Sequence, residues 1–530
     1  MAPGMGWVVT MRLRRREEPL LLAVAGGVLV GLVLVPLVSL GGQLARGEAL
    51  VHAARTLSAP RTWSLLLASL GIAAAVTVAA LAIGLPLGVL LGRTDVPLRR
   101  LALWLHAFPL SLPPFLIALG WFHLLGRGGL AGSALGARLL FSPTGVVLVL
   151  ALALAPVVTS LVVVGLRAVD PSLEEAALLV AGPWRVSVRI LLPLVRPAVA
   201  LAALVVFSLA LSELGVPMFL RVGVYPAMVF SRLGGVDYAP GEAFALALPL
   251  FVVAVGLLVF ERRAAGRRAF GVLGLRSREV PDLRLGRWRP AATAFAAAAA
   301  LLPLLPLAAL AIRAGRGRGF SELPRWIGAS AWNSLLDAFL AGTLILLLAV
   351  VIGHAAARRR RGGLGLDALA VLAFVTPATV LGVALVATWN RPSLQAVYGT
   401  SAIVVLALAA RYGAVGLRAA AVAFSQGSDH YEEAAAIGGA RFLRRLGRVL
   451  VPIHARGLGA AWLLGIVFCL RDLETAVLLY PAGEEPLTVR IFTLEANGPE
   501  GVVAALSCVQ VAMTAAVLAL GAALLLRGRR

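Results

Sequence analysis

Apolar and polar positions fall in long alternating blocks along this chain. Runs of about 20 apolar residues recur from end to end, separated by short arginine-bearing segments. That is the length a helix needs to cross a hydrocarbon layer of ~30 Å. The runs lack the period-two alternation of barrel strands, so helices are the elements that satisfy the backbone inside them. The pattern predicts twelve spans. Six lie at 20–40, 63–91, 101–126, 145–166, 197–214 and 243–260, and six at 291–312, 332–356, 366–389, 400–417, 457–473 and 502–526. The expected fold class is an all-α polytopic membrane protein. The first run lacks a small-residue cleavage site and reads as a retained span, not a signal peptide.

Composition changes this picture in one respect. The chain has 530 residues, is 60% hydrophobic and carries a formal charge of +23. In a soluble protein that charge would point to nucleic acid. Here the useful quantity is its distribution among the loops. With the N-terminus in the cytoplasm, the cytoplasmic segments hold 33 arginines and the opposite side 13, while Arg411 and Arg471 fall inside spans. The asymmetry follows the positive-inside rule and predicts that both termini are cytoplasmic. No nucleic-acid partner is expected. All 48 basic residues are arginine, and a chain without lysine cannot carry a standard phosphate-binding P-loop.

Nine of the arginines lie in the stretch 261–290, which has no long apolar run. It reads as a cytoplasmic linker, with a first transmembrane domain at 1–260 and a second at 291–530. Six spans per domain would return the chain to the same side, so the halves are expected to be parallel repeats. Anionic lipid at the membrane surface would attract this linker, and a plain solvated linker is the equal alternative.

A polar segment supports the repeat. Glu174, Glu175, Ala176 and Ala177 are followed by Gly182 and by a hydrophobic stretch ending at Pro193. Glu432, Glu433, Ala434 and Ala435 are followed by Gly438, Gly439 and a stretch ending at Pro452. The glutamates are 258 residues apart and the prolines 259. Each copy reads as an acidic helix start suited to the helix dipole, small alanines, a glycine turn and a basic amphipathic helix. One such segment is ordinary solvated helix. Two, each between the fourth and fifth spans of its half (loops 167–196 and 418–456), predict a helix–turn–helix knob presented twice.

The pattern Glu-Ala-Ala, glycine after three residues, nine residues, then hydrophobic-x-hydrophobic-Pro resembles that of the permease subunits of bacterial binding-protein-dependent ABC importers. Glu433, Ala434, Ala435, Gly439, Val449, Val451 and Pro452 match it in register. The first copy departs by one residue, because Ala181 stands in the glycine place counted from Glu175 and Pro193 arrives one residue early. The resemblance implies a type I ABC importer transmembrane fold and a coupling helix that docks on a separate ATPase. It assigns that contact to Glu174, Glu175, Ala176, Ala177, Gly182 and Pro193, and to Glu432, Glu433, Ala434, Ala435, Gly439 and Pro452. It also implies two ATP-binding cassette subunits, an extracytoplasmic solute-binding protein, a bacterial inner-membrane location, no cofactor in this chain and no enzymatic activity of its own. Arg411-Tyr412 and the run from Arg471 to Phe492 resemble the fused iron(III)-type permeases and their thiamine and phosphonate relatives. Iron(III) is the first solute expected, with thiamine, phosphonates and polyamines behind it.

Glu213, Arg411, Arg471, Asp472 and Glu474 lie in or at the ends of spans. Ionisable groups there pair or line a water-filled path. With the one-residue shift Glu213 corresponds to Asp472, and the two are expected to flank a translocation path. The structural alternative is an ion pair of Arg471 with Glu474 at i, i+3. Pro109, Pro113 and Pro114 are expected to kink the third span. His106 and His123 do not share a ligating spacing, His430 and His454 read as surface packing in the second loop, and no metal site is expected. Cys469 and Cys508 read as structural thiols. The main rival is an ion-coupled secondary transporter, which also has twelve spans in parallel halves but needs no duplicated docking segment. A membrane-embedded enzyme lacks a nucleophile–base pair.

Overall fold

The computed structural model describes residues 17–44, 47–169, 176–177, 179–234, 240–265, 283–316, 318–426 and 430–527. Helix dominates. The long helices, in chain order, are α1 (Glu17–Gly42), α2 (Pro60–Arg93), α3 (Arg99–Ser111), α4 (Pro114–Leu125), α5 (Pro143–Arg167), α6 (Arg196–Ser212), α7 (Pro240–Ala265), α8 (Gly286–Arg316), α9 (Ser330–Ala357), α10 (Arg361–Val375), α11 (Ala378–Trp389), α12 (Ala402–Ser425), α13 (Ala455–Leu470) and α14 (Glu500–Arg527). Starts follow local chemistry. Pro60 and Pro143 stand at first helical positions, where a missing N–H is harmless. Ser142 caps α5 by accepting from the Gly145 amide at 3.2 Å.

Eight helices, counted among the described residues, are long and apolar enough to cross a membrane unbroken. Three further bent pairs bring the number of candidate spans to at most eleven. The twelve expected runs are therefore not all unbroken spans: three are bent pairs, and Arg196–Ser212 is a shorter apolar helix outside that number. The third run is α3 and α4, bent by 102°, and the ninth is α10 and α11, bent by 108°. Both breaks occur at proline. Leu112 and Pro113 are extended before Pro114, and Thr376 and Pro377 are extended before Ala378. A residue preceding proline is pushed out of the α region, and the proline has no N–H to continue the ladder. The fifth and eleventh runs are α6 and α13, only 17 and 16 residues long, and they stop at Glu213 and Arg471. The stretch read as a linker is in part helical, since α7 continues to Ala265 and α8 has begun by Gly286.

Two compact groups form the core. In one, α2 packs on α5 and both on α6; in the other, α9 packs on α12 and both on α13. Gly84 and Gly88 bring the α2 backbone against α5, because a Cβ at either place would lie under 3 Å from Val158 or Val162. Spacing small residues by four is how membrane helices approach closely. The first long helix of each half crosses to the other group. Helix α1 lies against α9, α10 and α11, while α8 lies against α4. Gly120 of α4 is the contact point, and a Cβ there would collide with the Pro306 carbonyl of α8. The connection before α8 is also pinned to the first half. Leu283 N donates to Arg93 O at 2.9 Å, and Leu285 N to Asp95 Oδ1 at 3.0 Å.

Two knobs and a buried charge node

The second knob is a short helix, His430–Ile437, whose first turn holds Glu432 and Glu433. Gly439 ends it at φ 81°, in the left-handed region open to glycine. The Gly438 amide donates to Ala434 O at 2.9 Å and the Ala440 amide to Ala435 O at 3.0 Å, so the helix's last carbonyls are satisfied. The chain then runs through Phe442–Arg445, a π-turn at Leu446–Leu450 and Val451–Ile453 before bending by 84° into α13. In the first knob Ala176 and Ala177 are helical, and Pro183–Val186, a π-turn at Ser187–Leu191 and Leu192–Leu194 precede α6. Each of these later pieces recurs 259 residues on. The one-residue difference lies in the turn itself, and Gly182 does not adopt a positive φ. Glu174 and Glu175 lie outside the described residues.

The two glutamates of the second knob have different surroundings. Glu433 is 68% exposed, and its carboxylate lies 3.7 Å from His430 Nδ1. The Glu432 side chain is 14% exposed. Its carboxylate accepts from Arg358 Nη2 at 2.8 Å and sits 3.2 Å from His354 Nε2, both on the end of α9, with Arg445 at 4.0 Å. The hydrogen bond from His354, followed by the charges of His354 and Arg358, outweighs burial and holds the Glu432 carboxyl down at about 2. Glu432 therefore fastens the knob to α9, and Glu433 faces outward. His454 packs edge-on against Phe424, with ring centroids 5.3 Å apart.

Both tips expose apolar side chains that the acidic motif did not signal. Leu179 and Val180 are 87% exposed in the first knob and Ile437 is 88% exposed in the second. Leu179 and Ile437 are 258 residues apart, the same spacing as the glutamates. The signal was present as an apolar residue four positions after the second glutamate in each copy.

The ionisable residues expected inside the membrane come together at one node. Arg411 is the tenth residue of α12, about 14 Å from that helix's start at 1.5 Å per residue. Its guanidinium donates to Thr475 Oγ1 at 2.9 Å and Ser212 Oγ at 3.1 Å, and lies 3.4 Å from Asp472 and 3.6 Å from Glu474. Tyr412 donates its hydroxyl to Asp472 Oδ2 at 2.8 Å. Glu474 thus pairs with Arg411, and Arg471 instead donates to the Leu110 carbonyl and lies over the Phe468 ring.

Glu213 and Asp472 occupy matching places. Glu213 Oε1 accepts from the Val216 amide at 3.1 Å and Asp472 Oδ1 from the Thr475 amide at 2.8 Å. Each carboxylate caps the short helix that resumes after its break, Gly215–Phe219 or Ala476–Leu479. The preceding residues also match, and each serves the other half's broken helix. Ser212 Oγ accepts from the Ala378 amide at the start of α11 at 2.8 Å, while Arg471 donates near the end of α3. An oxygen at a helix N-terminus and a cation at a C-terminus are the arrangements the helix dipole favours. Ser212 and Thr475 carried no sequence signal, since their partners are 199 and 64 residues away.

His106 is buried between Ala299 O and Thr159 Oγ1, each at 3.0 Å. Among the described residues no group of three or more His, Cys, Asp or Glu could hold a metal ion. Cys469 is buried and Cys508 half-buried, and both are free thiols.

Residues 84–262, which include the first knob, α5, α6 and Glu213, match the family described as "Binding-protein-dependent transport system inner membrane component". The chain is similar to the ferric transport system permease protein FbpB of Actinobacillus pleuropneumoniae, with 24% identity over 444 residues, 77% of this chain and 64% of that one. It thus spans less than two thirds of that relative's length. It is also similar to the molybdenum transport system permease protein ModB of Escherichia coli K12, with 32% identity over 158 residues, 29% of this chain and 69% of that one. With the knob, the broken helices and these likenesses together, the chain belongs to the family of inner membrane components of binding-protein-dependent ABC transport systems.

Proposed function

We propose that the chain is the fused permease subunit of an ATP-driven importer, made of two parallel six-helix repeats in the type I importer arrangement. The observation that carries this is the pair of knobs, built alike and each tipped with an unpartnered apolar side chain. An apolar tip beside an outward carboxylate fits a groove on a partner protein, and two tips fit two ATPase subunits. Matching pieces at a constant offset of 259 residues, matching caps at Glu213 and Asp472, and the crossed α1 and α8 support a tandem duplication over 1–260 and 291–530. The arginine balance puts the knobs, the linker and both termini in the cytoplasm, in a bacterial inner membrane. The solute arrives on an extracytoplasmic binding protein, and membrane lipid surrounds the helices.

Glu175, Ala176, Ala177 and Leu179 contact one ATPase, and Glu433, Ala434, Ala435 and Ile437 the other. Gly182 and Gly439 shape the turns, Pro193 and Pro452 end the basic helices, and Glu432 holds its knob to α9. Glu174 stands where Glu432 does. ATP, bound by the partners, draws the knobs together and switches the side to which the path opens. The path runs along the node of Glu213, Arg411, Arg471, Asp472 and Glu474, where both broken helices meet. Iron(III) is the solute, by likeness to the ferric permease relative.

The test is uptake in sealed proteoliposomes holding this chain, its ATPase and its binding protein, with no ion gradient. ATP alone should drive uptake, and Glu175→Arg with Glu433→Arg should lower it by at least tenfold while leaving the purified chain folded. Uptake that needs an ion gradient, or that survives the double reversal, would return the reading to an ion-coupled carrier.

A further inference from the structure

Four charged side chains meet at the knob end of the helices, away from the node. Glu261 and Arg262 are on the last turn and a half of α7, Asp367 is near the start of α10, and Arg418 is two turns before the end of α12. Arg418 Nη2 donates to Glu261 Oε1 at 2.8 Å and to Asp367 Oδ2 at 3.3 Å, and its Nε donates to Asp367 Oδ1 at 3.2 Å. The guanidinium therefore grips Asp367 with both prongs, the geometry arginine supplies and lysine does not. Arg262 Nη2 donates to Asp367 Oδ2 at 3.2 Å, and its Nε lies 3.6 Å from Glu261 Oε2.

Two cations and two anions make the set neutral, yet the two sides differ in exposure. The carboxylates are buried, while Arg418 and Arg262 keep 21% and 35% of their side-chain surface in solvent. A fully dry network would be a weld, because separating it would strand charges in a low dielectric. One open at its cationic edge can be parted, since water reaches each ion as the contact opens. Among the described residues Glu261 Oε2 has no hydrogen-bond partner, so the closed set is incompletely satisfied there.

Connectivity gives the set a direction. Helix α7 belongs to the first half, and α10 and α12 to the second. Helix α12 is the long helix that precedes the second knob, which begins at His430, five residues beyond Ser425. A displacement of that knob carried along α12 would reach Arg418 within about two turns. The matching place on α5, 258 residues earlier, is Ser160, so the first knob's helix has no such arginine.

We propose that Glu261, Arg262, Asp367 and Arg418 form a one-sided electrostatic latch that holds the two halves together at the knob end and is released through the second knob. Its part in transport rests on the importer reading, but its existence does not. The test uses the full-length chain in nanodiscs, in a Cys469→Ser, Cys508→Ser background, with spin labels at Arg263→Cys and Arg361→Cys, one on each half. The parent should give one narrow distance distribution. Arg418→Gln should add a second, longer population comparable in size with the first. Asp367→Asn with Arg262→Gln, which keeps the site neutral, should do the same, whereas a need for charge balance alone predicts the parent distribution. Arg418→Lys, with the charge but not the fork, should fall between. An unchanged distribution in both Arg418→Gln and the neutral pair overturns the latch. In the assembled complex, Arg418→Gln should raise ATP hydrolysis without binding protein several-fold. Opened halves in a chain that recruits no ATPase would sustain the latch and sink the importer reading instead.

Discussion

Gly439 and Gly182 each lie in the turn of their knob, one motif place apart, and differ in backbone state. The left-handed φ of 81° at Gly439 would cost any side chain about 1–2 kcal/mol, whereas Gly182 has an ordinary φ and nothing within 4 Å of an added Cβ. Gly439→Ala should weaken cross-linking of the second knob to the ATPase about tenfold, the equivalent of about 1.4 kcal/mol. Gly182→Ala should leave the first knob unchanged. Measuring the two cross-links separately checks both, and equal effects would mean that the turns are equivalent after all. Glu432 offers a second residue-scale test. Its carboxyl is held at about 2, below its ordinary 4.5, by the His354 hydrogen bond and the charges beside it. A depressed carboxyl contributes stability that is complete above its ordinary value and lost as pH falls through the folded value. Glu432→Gln should cost about 1–3 kcal/mol near pH 6. The gap in melting temperature between the two proteins should narrow below about pH 4.5 and close near pH 2. A gap that stays constant over that range would show that the charge is not what anchors the knob.

At the scale of elements, the breaks matter more than the helices. Prolines 113 and 114 announced the first break, and Pro377 makes the matching one by the same extended geometry. The bend angles above 100° were not legible, because hydropathy records a run's length and not the direction of its axis. The knobs were legible, since their chemistry is local and printed twice. The division of labour between Glu432 and Glu433 was not, because it depends on His354 and Arg358 of α9, more than 70 residues away. The node was half legible. Buried ionisable residues announced that something met there, but Arg411 found Asp472 and Glu474 across helices where a local Arg471–Glu474 pair had been the simple alternative. Glu213→Gln with Asp472→Asn separates structure from transport at this node. Each amide oxygen can still accept the Val216 or Thr475 amide, so the caps persist and the melting temperature should fall by only a few degrees. Loss of the two acid groups should lower uptake at least tenfold. Unimpaired uptake would assign the node to architecture alone.

At the scale of the whole molecule, the two halves are joined by far more than the segment between them. Helix α1 is seated on the second half, with Glu18 2.5 Å from Arg360 and Glu17 3.9 Å from Arg441, and α8 is seated on the first through Gly120 and Pro306. The node adds Ser212 on Arg411 and Ala378, and the latch adds Glu261 on Arg418. Each half therefore lends its first long helix to its partner and leaves an apolar face uncovered when alone. Apolar faces bring little association in lipid, where tails already cover them, so the polar crossings and close packing carry the pairing. Cutting the chain between Ala265 and Leu283 removes none of these contacts. The two pieces, made together, should co-purify in detergent as a one-to-one complex that melts within a few degrees of the intact chain. Each made alone should be degraded or aggregate, the second more so, because it would lose the partner of Arg418 on α7. Pieces that fold singly and fail to associate would mean that the crossed helices are held by the covalent link and not by the contacts described.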